Sequence, residues 1–243
     1  MKMLKQSVTL VLCSFLLILP DLALASSNVQ LSSELTTLYR AARKVISDNQ
    51  AHINKADIGD KGLSGDAVAG KAIENYATAT GTQLDVNNLS VPQTAMIDAV
   101  KQVMDENQDL INEQGVGFKG FLPAIFARQV ANKFNSNMNG KMTIKLTAPK
   151  KYVRNRANRP DKWEHNVIET MFSDASYEKG KAFSEQASVK GKSAFRFILP
   201  EYYGPSCLSC HGTPKGERDI TGGKKEGGVL NELGGAISLI IFQ

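Results

Sequence analysis

Two stretches of the chain place apolar residues at helical spacing. In Ser32 to Asn54 the stripe is Leu35, Leu38, Tyr39, Ala42, Val45, Ile46 and Ile53, with Asn49 among them. In Thr94 to Asn112 it is Ile97, Val100, Val103, Met104 and Ile111, with Asn107 among them. Both read as amphipathic helices, the first with Ser32 or Ser33 as its N-cap. The two are related by an offset of 58. Residues 41–63 match 99–121 at nine of 23 positions: Ala41, Val45, Asn49, Gln50, Ile53, Asn54, Gly59, Lys61 and Gly62. The pattern predicts a tandem duplication, each copy a helix, a glycine-containing turn and a second helix. Two copies are too few for a solenoid, so they read as a helical preface packed on a main domain.

Beyond the second copy the period changes. Pro123 to Asn135 continues as helix, and then Met142, Ile144, Leu146 and Ala148 alternate as a strand before Pro149. A polar loop spans 152–161, and a short helix follows over Lys162 to Phe172 with the only tryptophan, Trp163. Lys181–Val189 and Ser193–Leu199 form a predicted hairpin about Lys190-Gly191. Residues 212–235 are glycine-rich loop without the spacing of a phosphate loop or dinucleotide fold. Ala236–Phe242 is a closing buried strand. The expected fold class is α+β, an antiparallel sheet flanked by helices, with an N-terminal helical region.

The first residues belong to a different pattern. Lys2 and Lys5 precede an apolar run from Ser7 to Leu19, broken at Pro20-Asp21. Ala23-Leu24-Ala25 then forms an A-x-A site before Ser26. Residues 1–25 are expected to be a secretory signal peptide, since the run is short for the roughly 20 residues a spanning helix needs. Two further segments complete the expected organisation: a helical region over 26–94 and a main domain over 95–243. The product would be exported, periplasmic and soluble, with no stable membrane insertion after cleavage. The chain has three cysteines and a net charge of +5. Its basic residues are scattered, which argues against nucleic acid as a partner.

Of those cysteines Cys13 lies in the signal, leaving Cys207 and Cys210. They stand in Cys207-Leu208-Ser209-Cys210-His211, the C-x-x-C-H spacing of covalent c-type haem attachment. In that chemistry each thiol adds across a haem vinyl group to form a thioether, and the histidine binds the iron from below. A thiol–disulfide redox pair would prefer a thioredoxin-like βαβ setting, whereas Gly204-Pro205 and Gly212-Thr213-Pro214 make loop on both sides. A closed zinc site needs four ligands, and no second paired spacing exists. An oxidising compartment suits haem attachment.

A family resemblance rests on these residues together. Arg154-Asn155, Asn158, Pro160-Asp161 and Trp163-Glu164, then Phe195-Arg196-Phe197, Cys207-x-x-Cys210-His211-Gly212 and Gly234-Gly235-Ala236-Ile237-Ser238 resemble the haem-c PAS-like family over roughly residues 95–242. The resemblance implies a PAS-like sheet, one covalent haem c and His211 as an axial ligand. It also implies a cysteine as the other axial ligand, in the helix before the first strand. That place falls near Pro123-Ala124, where this chain has no cysteine. Candidates for the sixth position are His52, His165, one of Met104, Met138, Met142 and Met171, or an open site. Arg154, Asn155, Asn158 and Arg196 are candidates for binding the haem propionates, because guanidinium pairs well with carboxylate; a solvated basic loop is the alternative for them.

Three functions follow from this reading. The first is periplasmic electron transfer with a redox partner protein, favoured by a single haem without an attached output module. The second is a haem-based redox or small-ligand sensor acting through a signalling partner, as the PAS-like resemblance suggests. The third is a haem enzyme, which needs a placed acid–base group over open iron; no residue presents itself for that role.

Overall fold

The computed structural model describes residues 20–243, with side chains from Ser26 onward. The leader expected over 1–25 therefore lies outside the described residues, apart from the helical backbone of Pro20–Ala25. Helix α1 runs from Pro20 to Asp48. The N-cap expected at Ser32 or Ser33 is not there. Nothing between Ala25 and Ser32 breaks the helix, and Ser32 is fully buried with its carbonyl oxygen accepting from Thr36 Oγ1.

The duplication is visible in three dimensions. In the first copy α1 is followed by the single turn α2 (Gln50–Ile53), a loop, and α3 (Gly65–Thr80). In the second, α4 (Val91–Glu106) is followed by the single turn α5 (Gln108–Asn112), a loop, and α6 (Pro123–Asn137). Both long helices break at the same place because an asparagine amide caps back onto the preceding turn. Asn49 Nδ2 donates to Val45 O and Asn107 Nδ2 to Val103 O. Each turn then ends on a glycine with positive φ, Gly62 and Gly120, a conformation that costs glycine little.

The copies are also locked to each other reciprocally. Asn112 Oδ1 accepts from Lys61 N at 3.0 Å, and Asn54 Oδ1 accepts from Lys119 N at 3.2 Å. Gln50 Nε2 donates to Phe121 O while Gln108 Nε2 donates to Leu63 O. Such a swap of equivalent contacts is the mark of two units related by an approximate two-fold axis. The side chains of Lys61 and Lys119, both almost fully buried, turn inward onto the carbonyls of their own loops.

The sheet is four-stranded and antiparallel throughout, in the order β1-β4-β3-β2. Its strands are β1 (Met142–Thr147), β2 (Phe183–Val189), β3 (Lys192–Tyr202) and β4 (Leu233–Phe242). The hairpin turn is where expected, with Lys190 and Gly191 both at positive φ. The expected closing strand begins three residues earlier and lies between β1 and β3. Period-2 alternation divides the sheet's faces. Met142, Ile144, Leu146, Ile237 and Leu239 join the helices in one large core. Ile198 and Ala236 face the other way, against Val167, Ile168 and Phe172. That outer layer is the short helix expected from Lys162 to Phe172. It is α-helical only over α7 (Lys162–Asn166) and widens to a π turn over Val167–Phe172. The α+β fold expected from the sequence is thus the one observed. The large core joins helices from both sides of residue 94 to the sheet, so the helical preface has no core of its own.

Candidate haem-attachment site

The C-x-x-C-H motif lies just beyond the end of β3. A 3₁₀ turn over Pro205–Cys207 runs into the single turn α8 (Leu208–His211). Proline starts the turn and glycine stops it. Gly212 N donates to Leu208 O, and a Cβ at Gly212 would collide with that same oxygen. Cys207 and Cys210 are unpaired and half-buried. The motif is tied to helix α1 by a hydrogen bond from Ser47 Oγ to Ser206 Oγ, and just upstream by Glu201, which pairs with both Arg40 and Arg43.

The glycine-rich loop returns to the motif and closes over one side of it. Gly227 N donates to Gly212 O and Gly228 N to His211 O, the latter at 2.7 Å. Tyr203 is clamped in the same return, its N–H donating to Glu232 O and its carbonyl accepting from Asn231 N. The Tyr203 ring stacks on the His211 imidazole, with centroids 5.3 Å apart and planes 15° from parallel. A Cβ on Gly228 or Gly234 would strike the Tyr203 ring, so both positions need glycine for close approach. Burial raises the Tyr203 hydroxyl pKa well above its ordinary value, with the nearby Glu226 adding to the rise. That hydroxyl is buried without a hydrogen-bond partner.

His211 is held at one nitrogen. Its Nδ1 lies 2.8 Å from Glu226 Oε2, and since a carboxylate only accepts, Nδ1 carries the proton. In the neutral ring this tautomer leaves Nε2 as the lone-pair nitrogen. Glu226 is in turn gripped by Arg154. Arg154 also donates to Asp219 Oδ2, to Cys210 O at 2.7 Å and to Lys224 O. The Asp219 side chain is covered, though the residue as a whole is half-buried. Burial works to raise its pKa, but hydrogen bonds from Thr221 and Arg154 outweigh this and hold it at about 2. Glu226 is held below its ordinary value in the same way, burial being overcome by Arg154 and His211. The Arg154 guanidinium is raised by its hydrogen bond to Glu226 and, beyond the opposing effect of burial, by Asp219.

Of the residues singled out from sequence, the fold therefore gathers Cys207, Cys210, His211 and Arg154. Arg154 braces the loop that carries the motif. Asn155 caps the next turn, its Oδ1 accepting from Ala157 N, and Asn158 offers its carbonyl to Thr147 Oγ1. Arg196 is elsewhere. It lies buried on the sheet's outer face, 2.6 Å from Asp161 Oδ2 and stacked 4.2 Å over the Trp163 ring. His52 Nε2 is engaged with Lys61 O at 3.0 Å in the first repeat turn. His165 sits on α7, in the outer layer, with Glu169 as its neighbour. Met104, Met138 and Met142 are core residues, and Met171 packs beside α7. Sequence reading missed Tyr203 and Glu226, because neither belongs to the C-x-x-C-H pattern.

The donor set fits a covalently held haem. Two unpaired thiols lie at the start of and within one helical turn, and the adjoining histidine has Nδ1 bonded to Glu226, with no hydrogen bond at Nε2 among the described residues. Among the described residues, no three His, Cys, Asp or Glu side chains converge as a metal-ion site. Val229 and Leu230, on the returning loop, are large apolar residues left more than half exposed. Among the described residues no helix is long and apolar enough to cross a membrane.

A model of the Tll0287-like family, a family of cytochrome-like domains, matches residues 34–241. No curated protein and no solved structure matches the chain.

Proposed function

The chain belongs to the Tll0287-like family, and on that premise we propose that it is an exported c-type cytochrome carrying one haem and passing electrons to a partner protein. The observation that carries this reading is His211 with Nδ1 bonded to Glu226, next to two free thiols at the attachment spacing. Cys207 and Cys210 would hold the haem through thioethers, and His211 Nε2 would be the axial ligand. When bound, the haem supplies a one-electron ferric/ferrous couple. The protein's own part is to keep the imidazole from turning, through Tyr203 on its face and Glu226 at its edge. Arg154 keeps the surrounding loop from moving with it. A rigid surround suits electron transfer, because little rearranges when the charge changes.

The test is expression in a periplasm with cytochrome c maturation, followed by acid–acetone extraction. Coloured protein that retains one haem is expected. Colourless or zinc-loaded protein would sink the proposal, and Cys207→Ala and Cys210→Ala should weaken or abolish attachment.

A second reading, a haem-based sensor working through a signalling partner, draws on the contacts between the motif and helix α1. Ser47–Ser206 and the Arg40–Glu201–Arg43 cluster would carry a shift at the haem into a 29-residue helix. Carbon monoxide binding to the ferrous protein distinguishes the two, since a sensor needs a position that opens and a carrier with two fixed ligands does not.

A further inference from the structure

The inference concerns Glu226 and rests on the haem reading above. A histidine that binds a metal through one nitrogen usually donates from the other, and the partner chosen tunes the metal. A neutral carbonyl only orients the ring. A carboxylate also pulls the Nδ1 proton toward itself and makes Nε2 a stronger electron donor, which favours the more highly charged ferric state. Here the partner is a carboxylate held in an ion pair with the Arg154 guanidinium. Glu226 is mostly enclosed, accepts from Arg154, and lies 2.8 Å from Nδ1.

Arg154 moderates the effect without cancelling it. The guanidinium is shared between two carboxylates, Glu226 and Asp219, so the group of three retains one negative charge. Only one of the two touches the ligand. Asp219 is occupied by Arg154 and by Thr221, whose N–H and hydroxyl both donate to it. The geometry points to Glu226 as a positioning residue that fixes the His211 tautomer and lowers the midpoint potential of the haem through a direct hydrogen bond.

Three variants of the haem-loaded protein separate this contact from the general field of the loop. Glu226→Gln keeps an acceptor but removes the charge. Glu226→Asp keeps the charge but draws it back from Nδ1. Asp219→Asn removes an equal charge from the same cluster without touching His211. In equilibrium redox titrations with mediators, Glu226→Gln should shift the potential upward by more than Asp219→Asn does. Glu226→Asp should also shift it upward although the net charge is unchanged. If Glu226→Gln matches the wild type, or moves no further than Asp219→Asn, the inference is overturned while the cytochrome reading stands. If Glu226→Gln cannot be loaded, an unshifted Glu226→Asp overturns it equally. Wild-type protein without covalent haem would overturn the cytochrome reading first, and this inference with it.

Discussion

The imidazole of His211 and the carboxylate of Glu226 meet at 2.8 Å although 15 residues separate them in sequence. They meet because Gly227 and Gly228 bring the glycine-rich loop back onto the motif, with Gly228 passing beside Tyr203 where no Cβ fits. The loop is thus part of the site rather than a connector, and Arg154 holds it there through Asp219, Glu226 and the Cys210 carbonyl.

The spare histidines should be silent. His52 Nε2 is bonded to Lys61 O and His165 lies on α7 beside Glu169. His52→Ala and His165→Ala, each examined as haem-loaded protein, are expected to leave the optical spectra of both redox states unchanged. A conversion from low to high spin in either variant would identify that histidine as the sixth ligand.

Arg196 should matter to folding rather than to haem. Its guanidinium is 2.6 Å from Asp161 and 3.5 Å from Glu164, whose side chain is almost completely enclosed. Removing one partner of a buried charge cluster leaves the other uncompensated, at a cost of about 3–5 kcal/mol. Arg196→Leu is expected near the lower end, because Lys145 still faces Glu164 at 2.8 Å. Denaturant unfolding measures the loss, and haem content per folded molecule should not change.

The duplication makes a paired prediction. Asn54 accepts from Lys119 N and Asn112 from Lys61 N across the approximate two-fold axis. Asn54→Ala and Asn112→Ala each strand one N–H of a buried residue, which costs about 1–3 kcal/mol. The two losses should be nearly equal in urea titrations. A large loss at one site and none at the other would show that the copies do not share the load.

Acid should loosen the loop before it unfolds the core. Asp219 is held at about 2 against an ordinary 3.8. A carboxylate with a depressed folded pKa stabilises fully above its unfolded value, and that contribution falls away as pH drops from about 4 toward 2. Asp161, also lowered despite burial, by the Glu164 N–H and Arg196, acts in the same direction. Protection of the amides in residues 215–226, measured relative to their intrinsic exchange rates, should therefore fall as pH drops from about 4 toward 2, and Asp219→Asn should flatten that dependence.

What the sequence by itself determined is the set of local features. Helical spacing marked the two long helices, the offset of 58 marked the repeat, and Lys190-Gly191 marked the hairpin. These are legible because each depends on residues a few positions apart, where backbone geometry links spacing to face. The C-x-x-C-H motif is legible for the same reason, since its residues lie within five consecutive positions. Tertiary structure alone decided which distant residues serve that motif. Arg154 and Arg196 look alike in sequence as basic neighbours of a motif. One lies in a loop that reaches Cys210, while the other sits on a strand position whose period-2 direction turns it to the outer face against Asp161. Glu226 carries no spacing signal, because what brings it to His211 is the closure of a long loop. That closure depends on contacts between segments far apart in the chain, which local pattern does not encode.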